Sequence, residues 1–413
     1  MTDSVYRRDN CRLCGSRSLE NVLPLAPTPL ADAYVSSTHL REVQQIYPLD
    51  LYLCKDCGFA QLLDIVIPHV IYLDYIYETV SSLGLVDHFR RYADDVVAII
   101  KPPQKALVVD IGSNDGSLLR FFKKHGMCVL GVDPAREIAR RATAAGIETL
   151  PEFFNQALVR KIKKEHGSAS IVTANNLYAN VDDLDALTTA ICDLLTPDGV
   201  FIFESFYLMD WMQNMVFDFT YHEHLSYFSV KPLASFFRRH GMELIDVKRV
   251  PTKGGSARYT IQRAGGPRPV SPAVAELIAL ETKLGLQRAD AFKSFAARID
   301  NAKKQLLDLI NSLQKQGKTI AGYGASATTT TLIYHFELGD KLRFIADDYE
   351  TKQNLYSPGY HIPVLTPQSL YERKPDYVLI LAWRYAEPII KKHKAFLEQG
   401  GKFIVPLPDL RIV

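Results

Sequence analysis

Charge of one sign is not in excess in this chain. Its 413 residues carry 48 Lys and Arg against 46 Asp and Glu, a formal net charge of +2. That balance argues against partners recognised by bulk charge, such as nucleic acid or an anionic membrane. No apolar run approaches the roughly 20 residues needed to cross a bilayer. The opening segment MTDSVYRRDN lacks the apolar stretch of a signal peptide. A soluble, cytoplasmic protein of two or three domains is expected. Cysteine is scarce, at six residues, and in a reducing compartment a disulfide framework is a poor default.

Four of those cysteines are clustered in sequence. CRLCG and CKDCG place Cys11, Cys14, Cys54 and Cys57 in two C-x2-C pairs, 39 residues apart. Each pair precedes a glycine (Gly15, Gly58) that permits the positive φ of a metal knuckle. Two knuckles supply the four thiolates of a tetrahedral Zn2+ site with no open position, and therefore a structural site. No basic helix accompanies the ligands, which disfavours a nucleic-acid finger. A redox pair is the alternative. Cys128 and Cys192 stand singly in apolar surroundings and are expected to be core residues.

A complete G-x-G-x-x-G is also missing. In its place, KALVVDIGSNDGSLLRFF reads as an apolar strand, a loop and an amphipathic helix. Gly112 and Gly116 allow close approach of a ligand, as at the mouth of a nucleotide-binding unit. The strand MCVLGVD ends in Asp133, 23 residues after Asp110, where a carboxylate accepts ribose hydroxyls. This pattern resembles the first motif of class I S-adenosylmethionine methyltransferases. The resemblance implies that Asp110 and the Gly112–Gly116 loop, with Asn114 and Asp115, hold the methionine end of the cofactor, and that Asp133 holds the ribose. GIETLPEFF gives a third strand, with Phe153 and Phe154 where adenine would lie. ASIVTANNLYAN gives a fourth, ending in Asn175 and Asn176. A helix and a TPDG turn then lead to a fifth strand. MELIDVKRV and ARYTIQR can close a seven-strand sheet. A dehydrogenase-type NAD domain is the alternative.

From 271 to 318 the pattern is helical and amphipathic. KTIAGYGASATTTTLIYHF then opens a second strand–loop–helix unit, and LRFIADD and PDYVLILAW add buried strands. A second Rossmann-like domain follows, either purely structural or offering helix N–H groups to part of a nucleotide-linked substrate. The expected division is a zinc module over 1–72, a methyltransferase domain over 73–266, and a helical linker with the second α/β domain over 267–413.

In this order, the four-cysteine module, DIGSNDGSLL, YHEHLSYFS, KGGSARY, GYGASATTTTL and SPGYHIPV resemble the three-domain sugar C-methyltransferases over essentially the whole chain. That resemblance implies α/β architecture throughout and a nucleotide-linked 4-keto-6-deoxyhexose substrate, usually methylated at C3. It implies no nucleic-acid or membrane partner and a monomer or homodimer. It places the base on His224, with Tyr221 and Glu223 beside it, and substrate contacts on Lys253, Arg258 and Tyr323. A tyrosine in YLDYIYETVSS reaches the active site in related enzymes, here Tyr75 in preference to Tyr77. The chemistry suits a histidine. A hydrogen beside a ketone can be removed by a base that titrates near neutrality, provided the enolate oxygen is held.

Three positions depart from that pattern. Asn180 stands where relatives often carry His, Thr328 where they carry Lys, and Arg384 where they carry Asn. Asn180 can hold a keto oxygen but cannot accept a proton. In an extended YHEH segment, His222 and His224 would share one face, which leaves a metal site or a polar turn as other readings. The competing functions are an O- or N-methyltransferase, and a noncatalytic zinc-containing binding protein.

Overall fold

Residues 5–72 and 84–413 are described by a computed structural model. Among the described residues, the sheet with the most strands has seven. Its spatial order is Met242–Val250, Ser256–Arg263, Leu195–Phe206, Ala169–Thr173, Leu107–Ile111, Cys128–Val132 and Thr149–Leu150. Ser256–Arg263 runs antiparallel to both neighbours, and the pairings from Leu195–Phe206 outward to Thr149–Leu150 are parallel. Parallel strands covered on both faces must be apolar on both, and Leu107–Ile111 is buried at every position. This is the class I methyltransferase sheet. The fourth strand ends at Thr173, two residues earlier than the sequence suggests, and leaves Asn175 and Asn176 in the following loop.

One face of the sheet is covered by the helix Leu85–Ile100, whose Phe89, Tyr92, Val96 and Ile100 pack with Leu118 and Phe122 of the helix Ser117–Lys124. The other face joins a core continuous with the rest of the molecule. Cys192 is half-buried, but Cys128 begins a strand at its exposed end, so it is not a core residue.

The N-terminal module is a small sheet of Leu19–Leu23, Leu51–Cys54 and Ala60–Leu62. Its fourth strand comes from elsewhere. Ser226–Tyr227, inside YHEHLSYF, pairs antiparallel with Ala60 and Gln61. The central domain therefore completes the zinc module's sheet.

Two helices, Pro272–Leu284 and Ala289–Lys315, carry the chain onward. The second buries Phe292, Phe295, Ile299, Ala302, Leu306, Ile310 and Leu313 at three- and four-residue spacing. Phe295 packs on Trp211 at 4.7 Å between ring centroids. A six-stranded sheet follows, in the order Val364–Leu365, Ile345–Ala346, Ile320–Tyr323, Tyr377–Ile380, Lys402–Val405 and Arg411–Ile412. No helix among the described residues is long and apolar enough to cross a membrane.

Candidate active site

In an open α/β sheet, a crevice forms where neighbouring strands lead off in opposite directions, at their carboxyl ends. The central sheet has this switch between Leu107–Ile111 and Ala169–Thr173, and the C-terminal sheet has it between Ile320–Tyr323 and Tyr377–Ile380. Both crevices open into one cavity of about 1470 Å³, lined by Gly112, Asn114 and Asn175 from one and by Gly324, Ser326 and Arg384 from the other. Single-ligand pockets span roughly 300–1,000 Å³, so this one has room for a cofactor and a second substrate. The N-terminal module adds Tyr6 and Asp32 to its wall.

The end of the cavity to which the sequence assigned the cofactor is built from the strands Leu107–Ile111 and Cys128–Val132. Gly112 has φ of 72°, and a side chain there would stand 3.0 Å from Leu177. The bare backbone thus forms a cradle. Asp133 accepts from the backbone N–H of Asn114 and of Ala135, both at 2.9 Å. Burial nevertheless pushes its carboxyl above the usual range. Asp110 accepts from Thr173 Oγ1 at 2.6 Å, and burial, with Asp133 nearby, pushes it up to about 7. Phe153 and Phe154 line the wall beyond. Asp115 and Gly116 do not line the cavity. Asp115 accepts from Ser117 N at 2.9 Å and so anchors the helix that follows. The amide oxygens of Asn175 and Asn180 are buried without a hydrogen-bond partner among the described residues, and both side chains line the cavity. Buried, unpaired acceptors beside a bare glycine loop fit a polar, nucleoside-bearing cofactor.

The opposite wall holds YHEH, which is a tight turn and not an extended segment. His224 N donates to Tyr221 O at 2.8 Å. The turn separates the two histidines. His222 turns away from the cavity toward the carbonyls of Tyr47 and Pro48, at 3.4 and 3.2 Å. His224 lines the cavity with Tyr221 and Glu223. Its ring lies 3.9 Å from that of Tyr221 and 4.9 Å from that of Phe206. Its Nδ1 bonds the Phe219 carbonyl at 2.7 Å. A carbonyl only accepts, so Nδ1 carries the proton and Nε2 is left as the basic nitrogen. Burial lowers His224 to about 3, with Lys253 adding to the effect.

Lys253 also lines the cavity, on a backbone with φ of 53°. Burial lowers it to about 8, opposed by Glu223 and reinforced by Arg384. The Arg384 guanidinium lies 4.2 Å over the Phe219 ring. Its Nη1 reaches Asp218 Oδ1 at 3.5 Å, and Trp383 Nε1 donates to Asp218 Oδ2 at 2.8 Å. Arg258 is paired internally. Its Nε donates to Glu204 at 3.1 Å, and its guanidinium stacks 3.8 Å over Tyr92. His88 Nε2 meets the same carboxylate at 2.6 Å. Burial would raise Glu204, but the bonds to His88 and Arg258 outweigh it and hold the carboxyl below its usual range.

Tyr323 is not brought to this site. Its hydroxyl donates to Asp348 at 3.0 Å and lies 2.9 Å from His393 Nε2. Tyr75 and Tyr77 lie outside the described residues. The sequence reading did not single out His88, Glu204, Asp32 or Lys352. Lys352 Nζ donates to Asp32 at 2.6 Å and to Ala325 O at 2.9 Å, joining the first and last modules. No local motif marks such pairs, because the partners are 116 residues apart for His88 and Glu204 and 320 apart for Asp32 and Lys352.

Away from the cavity, Cys11, Cys14, Cys54 and Cys57 converge with all four Sγ within 4.8 Å of one another. The Cys11–Cys57 and Cys14–Cys54 separations are 3.6 and 3.5 Å. A tetrahedron with Zn–S bonds of about 2.3 Å has edges of about 3.8 Å, so the set fits zinc. Among the described residues it is the one cluster able to hold a metal, and YHEH is not part of it.

A zinc module completed by a class I methyltransferase domain, with a second α/β domain closing the cavity, defines a multidomain S-adenosylmethionine-dependent methyltransferase. Three family descriptions match in succession: "Putative zinc binding domain" over 11–72, "Methyltransferase domain" over 86–247 and "C-methyltransferase C-terminal domain" over 251–408. The chain is 35% identical to the C-methyltransferase NovU of Streptomyces niveus, over 100% of this chain and 99% of that one. It belongs to this C-methyltransferase family. Among solved structures, the magnesium protoporphyrin IX methyltransferase of Synechocystis PCC 6803 is 15% identical, with a TM-score of 0.33 over 46% of this chain and 86% of that one. A methyltransferase of Clostridium acetobutylicum is 13% identical, with a TM-score of 0.35 over 44% and 92%. The cofactors are S-adenosylmethionine and zinc.

Proposed function

We propose that the enzyme methylates carbon C3 of a nucleotide-linked 4-keto-6-deoxyhexose, with His224 as the base. The observation that carries this reading is the His224 imidazole. Its proton is fixed on Nδ1 by the Phe219 carbonyl at 2.7 Å, and its ring lines the cavity shared by both strand crevices. His224 Nε2 takes the C3 proton, and the electrons of that bond pass into an enolate whose oxygen was the C4 ketone. The enolate carbon then takes the methyl group, and the ketone reforms. When bound, S-adenosylmethionine supplies that methyl on a positively charged sulfur, which leaves as a neutral thioether. Asn180 has a buried, unpaired amide oxygen in the cavity wall, which suits accepting from a sugar hydroxyl. Arg384 and Lys253 bring positive charge to the same wall, favouring a substrate that becomes anionic during reaction. The similarity to NovU, a C-methyltransferase, supports transfer to carbon.

The test incubates purified protein with S-adenosylmethionine and a panel of dTDP-, GDP- and CDP-linked 4-keto-6-deoxy sugars. A product with a new C–C methyl is expected. In D2O without the methyl donor, deuterium should enter at C3. Methylation of oxygen or nitrogen without carbon exchange would overturn the reading.

A further inference from the structure

The first zinc knuckle contains a residue that zinc does not use. Arg12 lies between Cys11 and Cys14, and its side chain is wholly buried. Its Nη1 donates to Leu62 O at 2.5 Å, Gln61 Oε1 at 3.0 Å and Leu225 O at 3.3 Å, and its Nε donates to Asp182 Oδ1 at 2.8 Å. Two of these partners flank proposed site residues. Leu225 directly follows His224, and Asp182 lies two residues beyond Asn180. The two loops are also joined to each other, since Leu225 N donates to Ala179 O at 2.9 Å. Asp182 further accepts from Tyr6 Oη at 2.5 Å and Arg8 Nη1 at 3.0 Å, so the module grips it from three side chains.

The backbone ladder between Ser226–Tyr227 and Ala60–Gln61 exists without this arginine. Removing the guanidinium leaves that ladder in place, and leaves Asp182 on Tyr6 and Arg8, but takes away the one side chain that ties Asp182 to Leu225 O. Burial of Arg12 is also incompletely compensated, because Nη2 is enclosed with no partner among the described residues. A cation kept under those conditions gains less in stability than an apolar side chain of similar volume would. What it supplies is the spacing of the two loops.

We propose that Arg12 is a positioning residue. Through its guanidinium, the zinc knuckle sets the His224 turn against the Asn180 loop, so that metal loading of the N-terminal module controls proton transfer and not cofactor binding. This rests on the proposed function in taking those loops to be the reacting ones.

The test uses the full-length, zinc-loaded protein and the variants Arg12→Met, Arg12→Lys, Asp182→Asn and the Arg12→Met/Asp182→Asn double. Hydrogen–deuterium exchange is followed over 176–183 and 220–228, beside zinc content, cofactor affinity and steady-state kinetics. Arg12→Met should keep its zinc and its cofactor affinity while both segments exchange faster. Its kcat should fall by about 10- to 100-fold with KM changed little, as expected for a small misplacement of reacting groups. Arg12→Lys should recover part of that loss, and the double variant should be no worse than Arg12→Met. Stripping zinc from the wild type should speed exchange in the same two segments. Wild-type exchange rates in Arg12→Met, or a parallel fall in zinc content, cofactor affinity and kcat, would overturn the proposal. If the wild type methylates no keto sugar, the proposed reaction falls. The exchange measurement still decides whether Arg12 joins the loops.

Discussion

His224 donates from Nδ1 to the carbonyl of Phe219 at 2.7 Å, while the Arg384 guanidinium lies 4.2 Å over the Phe219 ring. One residue thus fixes the tautomer of the proposed base and seats a cation from the C-terminal domain beside it. In the proposed reaction this arrangement would orient the base before the substrate arrives.

His224→Asn keeps a polar side chain in the turn but has no basic nitrogen. Turnover and C3 deuterium exchange should both fall by about 10²- to 10⁴-fold, the usual contribution of a positioned base. Cofactor affinity, read by calorimetry, should stay within a few-fold. Retention of more than a tenth of wild-type exchange would remove His224 from the base role.

The pH profile should be displaced from that of a free histidine. Burial holds His224 at about 3, below the near-neutral value that the sequence led one to expect of the base. The imidazole therefore stays neutral well below its ordinary pKa of about 6.5, but it is a weaker base. The rate of C3 exchange should therefore show no acidic limb between about pH 5 and 7. Lys253, lowered by burial to about 8, should produce a change on the alkaline side. Lys253→Met should abolish that change. An acidic limb centred near 6.5 would show that His224 is not titrating in this environment.

Stability should also fall in acid. His222 and His224 are lowered by burial to about 4 and about 3. Between those values and about 6.5, the unfolded chain binds protons that the folded one does not. Stability therefore rises with pH across that window and is lost as pH falls, by up to about 1.4 kcal/mol per pH unit for each histidine. Denaturant titrations from pH 4 to 7 should show the slope. His335 is lowered by burial to about 4 as well, so His222→Asn, which lies off the cavity, should reduce the slope only in part, by roughly a third or less.

Asp133→Ala should raise the dissociation constant for S-adenosylmethionine by about 10- to 100-fold, the worth of losing charge-assisted hydrogen bonds of roughly 1.5–3 kcal/mol. Calorimetry reads this directly. Unchanged affinity would restrict Asp133 to holding the backbone of Asn114 and Ala135.

Cys54 is fully buried at the end of its strand. Cys54→Ser should lose bound zinc and open the module to proteolysis, because metal affinity and folding of such a site are the same free energy. Full zinc occupancy in this variant, measured by atomic absorption, would refute the four-thiolate site.

Several of these features were legible before any coordinates. Hydrophobic runs of strand length, interrupted by Gly loops and amphipathic helices, specify a parallel sheet covered on both faces, and the strand order followed. Cysteine spacing specified the zinc site because only a few ligand sets suit that geometry. Residues within one motif, such as Gly112 and Asp133, fall on the same cavity wall because a loop and the strand beside it are local in sequence. Tyr323 shows the limit. The family resemblance implied a substrate contact there, but Tyr323 ends the strand Ile320–Tyr323, where side chains alternate, and its hydroxyl is taken up by Asp348 and His393.

The sequence by itself determined the fold class and the four-cysteine cluster, since each depends on periodicity or on spacing within a short segment. Tertiary structure alone decided what YHEH does. The turn at Tyr221–His224 sends His222 into the N-terminal module and His224 into the cavity, and the next residues complete another module's sheet. Those outcomes depend on partners such as Arg12, Tyr47, Phe219 and Arg384, which come together only when hydrophobic burial brings distant segments into contact.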